Sequence, residues 1–300
     1  MGRLVVCIMG QNCEKFIGMC LESVKDADAI VYCDGGSTDE TITKIASRGK
    51  GVSIIKNDYD QEDKEMNGKQ RNFYLKYLKE NYPNDWCLCL DADEVVEDLS
   101  KIKEFIQEAE KGLYSVKMRH LIGDLAHEDA TVPVHYVLNR LFKISDAGVY
   151  PEVEHPVLEH KLTLEAKKEG KLGAIAHVSH TDCTTIWHLA YIPNMWDIKK
   201  RYDNHMKKSN IHTPEFLKGW YHAHLFGTYP KKEFNPVELP KTILDEFGVN
   251  KDELYFKNRG LELKHFIDAI HWKEFFKCKT ALEFGCGRGP RNRSQRSRNK

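Results

Sequence analysis

The sequence predicts an α/β protein: a mostly parallel sheet flanked by helices, followed by a C-terminal helical extension. Three observations carry that expectation. The first hundred residues alternate short β-rich runs with helical patterns in the order of βαβ units, which build a parallel sheet. From Thr184 onward aromatic residues recur at helical spacing. A length of 300 residues, 41% of them hydrophobic, suffices for one well-cored domain and a smaller appended part, but hardly for three independent domains.

Strands are expected at Leu4 to Met9, Ala29 to Cys33, Val52 to Lys56 and Trp86 to Leu90. Between the first two, Phe16, Ile17, Cys20, Leu21 and Val24 fall at helical spacing while Glu14, Lys15, Glu22 and Lys25 face solvent, giving a crossover helix over one sheet face. The third connection, Asn67-Gly68-Lys69-Gln70-Arg71-Asn72, reads as a loop. It feeds a helix carrying Phe73, Leu75, Tyr77 and Leu78 that stops at Asn81-Tyr82-Pro83. β-Rich runs return at Tyr114 to Leu121, Val132 to Ile144 and Ile175 to His180, and complete the sheet. Beyond them Trp187, Tyr191, Trp196, Tyr202, Trp220, Tyr221, Phe226, Phe266 and Trp272 mark helices broken at Pro193, Pro214, Pro230, Pro236 and Pro240. The expected division is a main domain over 1–182, a helical extension over 183–277, and a glycine turn with a basic tail over 278–300.

The 45 basic and 45 acidic side chains balance overall, but the stretch from Arg288 to Lys300 is strongly basic, so the body before it is mildly acidic and offers no nucleic-acid surface. Nine cysteines are scattered without the paired spacings of a zinc site or a disulfide framework, which favours a reducing, cytoplasmic compartment. The chain runs from Met1 and Gly2 straight into a strand-length apolar run lacking signal-peptide features. No stretch approaches the roughly 18 apolar residues a membrane span needs. The expectation is a soluble protein, with peripheral membrane contact through a helix left open.

Two motifs carry chemistry. Cys33-Asp34-Gly35-Gly36-Ser37-Thr38-Asp39-Glu40-Thr41 lies at the carboxyl end of the second strand, where ligands bind in an open α/β sheet. Its glycines allow close backbone approach, Ser37 or Thr38 can cap the following helix, and Asp34 and Asp39 can accept hydrogen bonds from a nucleoside. The plainer alternative is a tight turn with an N-cap. Leu90-Asp91-Ala92-Asp93-Glu94 ends the fourth strand at the same sheet edge. Two strand-end aspartates one residue apart can bind Mg²⁺ or Mn²⁺ and leave positions open for diphosphate oxygens.

With those residues in view, the stretch from Val5 to Thr41 resembles the opening of the family-2 glycosyltransferases of GT-A fold, with Asn12 and Glu14 after the first strand and Leu21-Glu22-Ser23-Val24 in the first helix. Asp34 to Thr41 resembles the family's nucleotide-binding signature, Asp91-Ala92-Asp93 its metal and diphosphate motif, and Gly68, Lys69 and Arg71-Asn72 its donor-contacting loop. The likeness covers about the first hundred residues and weakens beyond Gly112. It implies a Rossmann-like sheet that binds a nucleotide-sugar donor. Asp34 and Asp39 would contact the nucleoside, Arg71 the donor, Asp93 the metal, and Asp91 the ribose or metal; Lys69 and Arg71 also suit a diphosphate on chemistry alone, because guanidinium matches phosphate geometry. Many GT-A enzymes also place a late histidine on the metal, and His177 is the residue this sequence offers. UDP is the family default for the donor.

An inverting transferase needs a general base for the acceptor hydroxyl. Asn139-Arg140-Leu141-Phe142-Lys143 resembles a segment of one family branch in which a Val-His-Glu triplet follows and supplies it. This chain departs from that pattern and offers Glu154, then His155 and Glu152, as candidates; a surface ion pair and a proline-shaped turn are the structural alternatives. The expected function is transfer of a sugar to a glycan or lipid-linked glycan by inversion. Two alternatives stay open: a catalytically impaired nucleotide-sugar-binding protein, and a nucleotidyltransferase, for which the Gly10-Gln11-Asn12-Cys13-Glu14 loop is poorly suited. Finally, Thr280-Ala281-Leu282-Glu283-Phe284-Gly285-Cys286-Gly287 resembles the first strand and turn of a methyltransferase that uses S-adenosylmethionine, but too little chain follows to complete that fold.

Overall fold

The computed structural model describes residues 2–48, 51–131, 139–153, 156–169, 178–192, 202–203, 206–207, 213–225, 228–234 and 238–247. The expected division at 278 and the segment resembling a methyltransferase lie outside these residues, as do Trp196, Phe226, Phe266 and Trp272.

Four parallel strands form the heart of the sheet: β1 (Leu4–Gly10), β2 (Ala29–Asp34), β3 (Val52–Lys56) and β4 (Trp86–Asp91). β1 sits between β4 and β2, with β3 outside β2. The chain fills one side of β1 first and then crosses to the other, so the order reverses between β1 and β4. That reversal opens a crevice beyond the strands' carboxyl ends. Beyond β4 come β8 (Leu141–Lys143) and β6 (Leu113–Ile122), both antiparallel to their inner neighbours. β7 (His127–Asp129) and β10 (Lys231–Glu233) extend that edge, while β9 (Val178–Tyr191) lies parallel to β6 and antiparallel to the short β5 (Glu94–Val96).

Period-2 alternation divides the core between the two sheet faces. Leu4, Val6, Ile8, Leu88 and Leu90 pack under α1 (Ile17–Ser23) and α4 (Leu99–Glu108) through Ile17, Leu21, Ile102 and Ile106. Val5, Cys7, Cys33, Cys87 and Cys89 face Tyr74, Leu75 and Leu78 of α3 (Met66–Asn81). A third cluster joins Val95, Leu121, Trp187 and Leu189 to Ile243 and Leu244 of a C-terminal helix, Lys241–Glu246. Among the described residues no helix is long and apolar enough to cross a membrane.

Three expectations are corrected. Asn67 to Asn72 is no loop but the first turns of α3, where Gln70, Arg71, Tyr74, Leu75 and Leu78 form the buried face. Gly68 suits that helix because it lies against the backbone of Pro151 and Glu152: a Cβ there would stand 2.6 Å from the Glu152 Cα. Trp187 and Tyr191 belong to β9 and not to a helix, and the strand crosses the expected boundary at 182 and 183. A spacing of four residues puts two side chains on one face of a helix and equally on one face of a strand, so the pair could not separate the two. Val132 to Ile144 contributes only β8 and a 3₁₀ turn at Ile144–Asp146 among its described residues; 132–138 lie outside them. The helical reading does hold for Pro214–Leu225, which carries Trp220 and Tyr221.

Candidate functional site

The carboxyl ends of β1, β2 and β4 lie side by side, with Gly10 opposite Asp34 and Met9 opposite Asp91. Gly10 has no room for a side chain: a Cβ would stand 2.7 Å from Cys13 Sγ and 2.8 Å from Ala92 Cβ. The strand ends can therefore converge.

The loop after β2 is tied to the loop after β1. The Gly35 N–H donates to Gly10 O at 2.9 Å and Gln11 Nε2 donates to Gly35 O at 2.8 Å. Asn12 adopts φ 55°, a left-handed conformation asparagine tolerates. There its N–H reaches Ser37 Oγ at 3.0 Å and its Oδ1 accepts from the Thr38 N–H at 2.8 Å. Asp34 is buried and accepts from the Ser37 N–H at 3.1 Å and the Ser37 hydroxyl at 2.6 Å, which closes the turn and leaves lone pairs unused. Ser37 and Thr38 do not cap the helix α2 (Thr41–Ser47), whose N-cap is Glu40; Asp39, just before it, accepts from the Thr41 N–H at 3.0 Å and its hydroxyl at 2.6 Å. Asp39 also accepts from the Glu14 N–H at 3.2 Å. Burial raises the Asp39 pKa, but these hydrogen bonds outweigh it and hold the carboxyl below its ordinary value. Asp39 thus shapes the loop, while Asp34 lies beside the end of β1.

Asp91 stands at the centre of a buried ionic cluster. Its Oδ1 accepts from Arg71 Nη2 at 2.8 Å and its Oδ2 from Arg140 Nη2 at 2.8 Å. Burial would raise its pKa, but the Arg140 and Arg71 guanidiniums win and hold it well below the usual carboxylate range. The same Arg140 nitrogen donates to Glu94, whose other oxygen accepts the Asp91 N–H at 2.9 Å. Burial pushes Glu94 up to about 8 against the opposing pull of Arg140. Arg71 additionally donates to Tyr74 Oη at 3.3 Å and lies 5.8 Å from the centre of the Tyr150 ring. It is buried against Asp91.

Asp93, two residues on, faces β9. Its Oδ1 is 3.8 Å from His188 Nε2, and His188 Nδ1 is 2.8 Å from His120 Nδ1 on β6. Burial, reinforced by His188, lowers the His120 pKa to about 3. Lys69 is drawn to the start of its own helix by Asp63 at 2.8 Å and Glu65 at 3.0 Å. Glu152 is exposed beside Gly68, in a segment that Asn72 holds by exchanging hydrogen bonds with Tyr150. Glu154, His155 and His177 lie outside the described residues.

The fold therefore brings Asp34, Asp91, Asp93 and Arg71 to one sheet edge and leaves Asp39 and Lys69 in local structural roles. Arg140, Glu94, His120 and His188 were missed as site residues. Arg140 and Glu94 stood inside motifs already singled out, and nothing but their burial marks them. His120 and His188 are adjacent through the pairing of β6 with β9, which no local pattern announces.

A mostly parallel α/β sheet with acidic turns converging at its switch point is the architecture of a GT-A glycosyltransferase. Residues 5–135 match the family model described as Glycosyl transferase family 2, a span that takes in β1 to β7 and every proposed donor residue. By that match the protein is a glycosyltransferase.

Solved structures with related folds include S. aureus TarS 1-349 in complex with UDP-GlcNAc, at 15% identity and TM-score 0.43, covering 76% of this chain and 73% of that one. The longer S. aureus TarS chain gives 14% identity and TM-score 0.43, covering 88% of this chain and 54% of its own length. Glucosyl-3-phosphoglycerate synthase from Mycobacterium tuberculosis, in complex with Mn²⁺, UDP and glucosyl-3-phosphoglycerate, gives 12% identity and TM-score 0.39, covering 83% and 81%. These likenesses are too distant to assign a substrate or a residue role to this chain. No curated protein matches it.

Proposed function

We propose that this protein transfers a sugar, with inversion, from a nucleotide-diphosphate sugar to a hydroxyl of a glycan or lipid-linked glycan, with help from Mg²⁺ or Mn²⁺. The observation that carries the reading is the convergence of Asp34, Asp91 and Asp93 at the ends of β2 and β4, on either side of β1. UDP is the donor base that the family resemblance gives by default.

Among the described residues no group of three or more His, Cys, Asp or Glu side chains could hold a metal by itself. The residues nevertheless fit an ion of this class, because Mg²⁺ and Mn²⁺ sites need only one or two protein ligands when donor phosphates and water supply the rest. Asp93 and His188 would hold it, with Asp91 oriented beside them by Arg71 and Arg140. When bound, the ion would offset the charge that develops on the departing diphosphate.

The chain's own residues supply the remainder. Asp34 has lone pairs to accept from the nucleoside. Glu154, His155 or Glu152 would take the acceptor hydroxyl proton while that oxygen bonds to the anomeric carbon and the bond to the diphosphate breaks, its electron pair leaving with the phosphate. Of these, Glu152 lies two residues from Tyr150, which Asn72 anchors on the helix that also carries Arg71. A nucleotidyltransferase is less well supported: Gln11 and Asn12 are spent on the 35–39 loop and do not form a cradle for a triphosphate.

Calorimetric titration of UDP and GDP, with and without Mn²⁺, into wild type and Asp93→Ala tests the reading. Binding that needs Mn²⁺ and is lost in the variant supports the donor site and chooses the base. No binding of either nucleotide under any condition would sink it.

A further inference from the structure

We infer that Glu94 and Arg140 are positioning residues for the donor site, fixing Asp91 and thereby the turn that presents Asp93. The inference rests on the donor-site reading above.

Both side chains are shut away, at 1% and 2% exposure, and cannot touch a donor themselves. Their contacts close a ring. Glu94 Oε2 accepts the Asp91 N–H at 2.9 Å, Glu94 Oε1 accepts from Arg140 Nη2, and that same nitrogen donates to Asp91 Oδ2 at 2.8 Å. Arg71 Nη2 takes the remaining Asp91 oxygen at 2.8 Å. The turn between β4 and β5 is thus gripped from two directions, by Arg71 of α3 and by Arg140 at the entrance to β8.

Buried ion groups of this kind cost desolvation and stabilise little compared with apolar packing. What this one does achieve is a single geometry. The Asp91 backbone, its carboxylate and the following strand are bound into one unit, and Asp93 stands between its two ends.

Glu94→Gln tests the arrangement without emptying space. Both Glu94 oxygens face N–H donors, so whichever way the glutamine amide turns, its NH₂ group meets one of them. UDP is titrated in the presence of Mn²⁺ into wild type and E94Q, with a thermal melt of each. E94Q is expected to bind at least tenfold more weakly while still melting cooperatively, a loss that a merely structural role would not produce. Should E94Q fail to fold, E94Q/R140Q removes both buried partners together and is expected to show the same weakening.

Wild-type affinity in the folded Glu94 variants would overturn the inference alone. A wild type that binds no UDP with Mn²⁺ overturns the donor-site reading and this inference with it, so the wild-type curve tells the two failures apart.

Discussion

Asn72 and Tyr150, 78 residues apart, are joined by a reciprocal pair of hydrogen bonds: Asn72 Nδ2 donates to Tyr150 O at 2.8 Å and the Tyr150 N–H donates to Asn72 Oδ1 at 2.9 Å. The pair fastens the segment after Gly148 to α3. Asn72→Ala leaves both backbone groups to find other partners, at about 1–3 kcal/mol for each one that stays buried and unsatisfied. Urea denaturation should show that loss, and limited proteolysis should show faster cleavage near residue 150.

Gly68→Ala sets two effects against each other. Alanine favours the helix by about 1 kcal/mol, but its Cβ would meet the Glu152 Cα at 2.6 Å, and backbone cannot swing away as a side chain can. Overpacking of this kind costs roughly 1–3 kcal/mol. A net fall in the urea midpoint is expected; a rise would mean that the 150–152 segment yields freely.

Asp91→Asn removes the carboxylate shared by Arg71 and Arg140. Breaking a wholly buried pair costs about 3–5 kcal/mol, and the 29% exposure of the Asp91 side chain moderates this to about 2–4 kcal/mol. Thermal or urea unfolding at neutral pH measures it.

Asp28 links three elements, accepting from the Leu4 N–H at 2.7 Å and from Lys103 of α4 at 2.9 Å. Burial raises its pKa, but the Leu4 N–H and Lys103 outweigh that, so the folded value lies below 3.8. A depressed carboxyl stabilises the fold fully above the unfolded pKa and loses that contribution as pH falls through the folded value. Asp28→Asn should therefore lower stability at pH 7 and flatten its decline below about pH 4. An unchanged acid limb would refute the assignment.

His188 bears on the metal. Its Nε2 faces Asp93 while its Nδ1 is engaged with His120, which orients the ring. His188→Ala should weaken Mn²⁺-dependent UDP binding and His120→Ala should do so by about 10- to 100-fold, the range for residues that orient a ligand. Calorimetry at fixed UDP with varied Mn²⁺ separates this from a general loss of fold.

Much of this was legible in the chain. The four central strands appear where apolar runs placed them, because a strand covered on both faces is marked by nearly every residue it contains. The acidic turns were legible too, since Asp34, Asp91 and Asp93 follow directly on those strands. Less could be read where one local signal served two structures. Trp187 and Tyr191 fit strand and helix alike, and the stretch from Asn67 to Asn72 read as a loop although its glycine has a packing reason in Pro151 and Glu152.

By itself, then, the sequence determined the class of fold and the edge of the sheet where chemistry gathers, for hydrophobic period and strand-end acids are local properties. Only the tertiary structure decided which charges meet. Arg140 and Glu94 are 46 residues apart, and Arg71 and Asp91 are 20 apart. Whether an arginine reaches a ligand or is buried against a carboxylate depends on the packing of α3 and β8 around β4, which no spacing along the chain encodes.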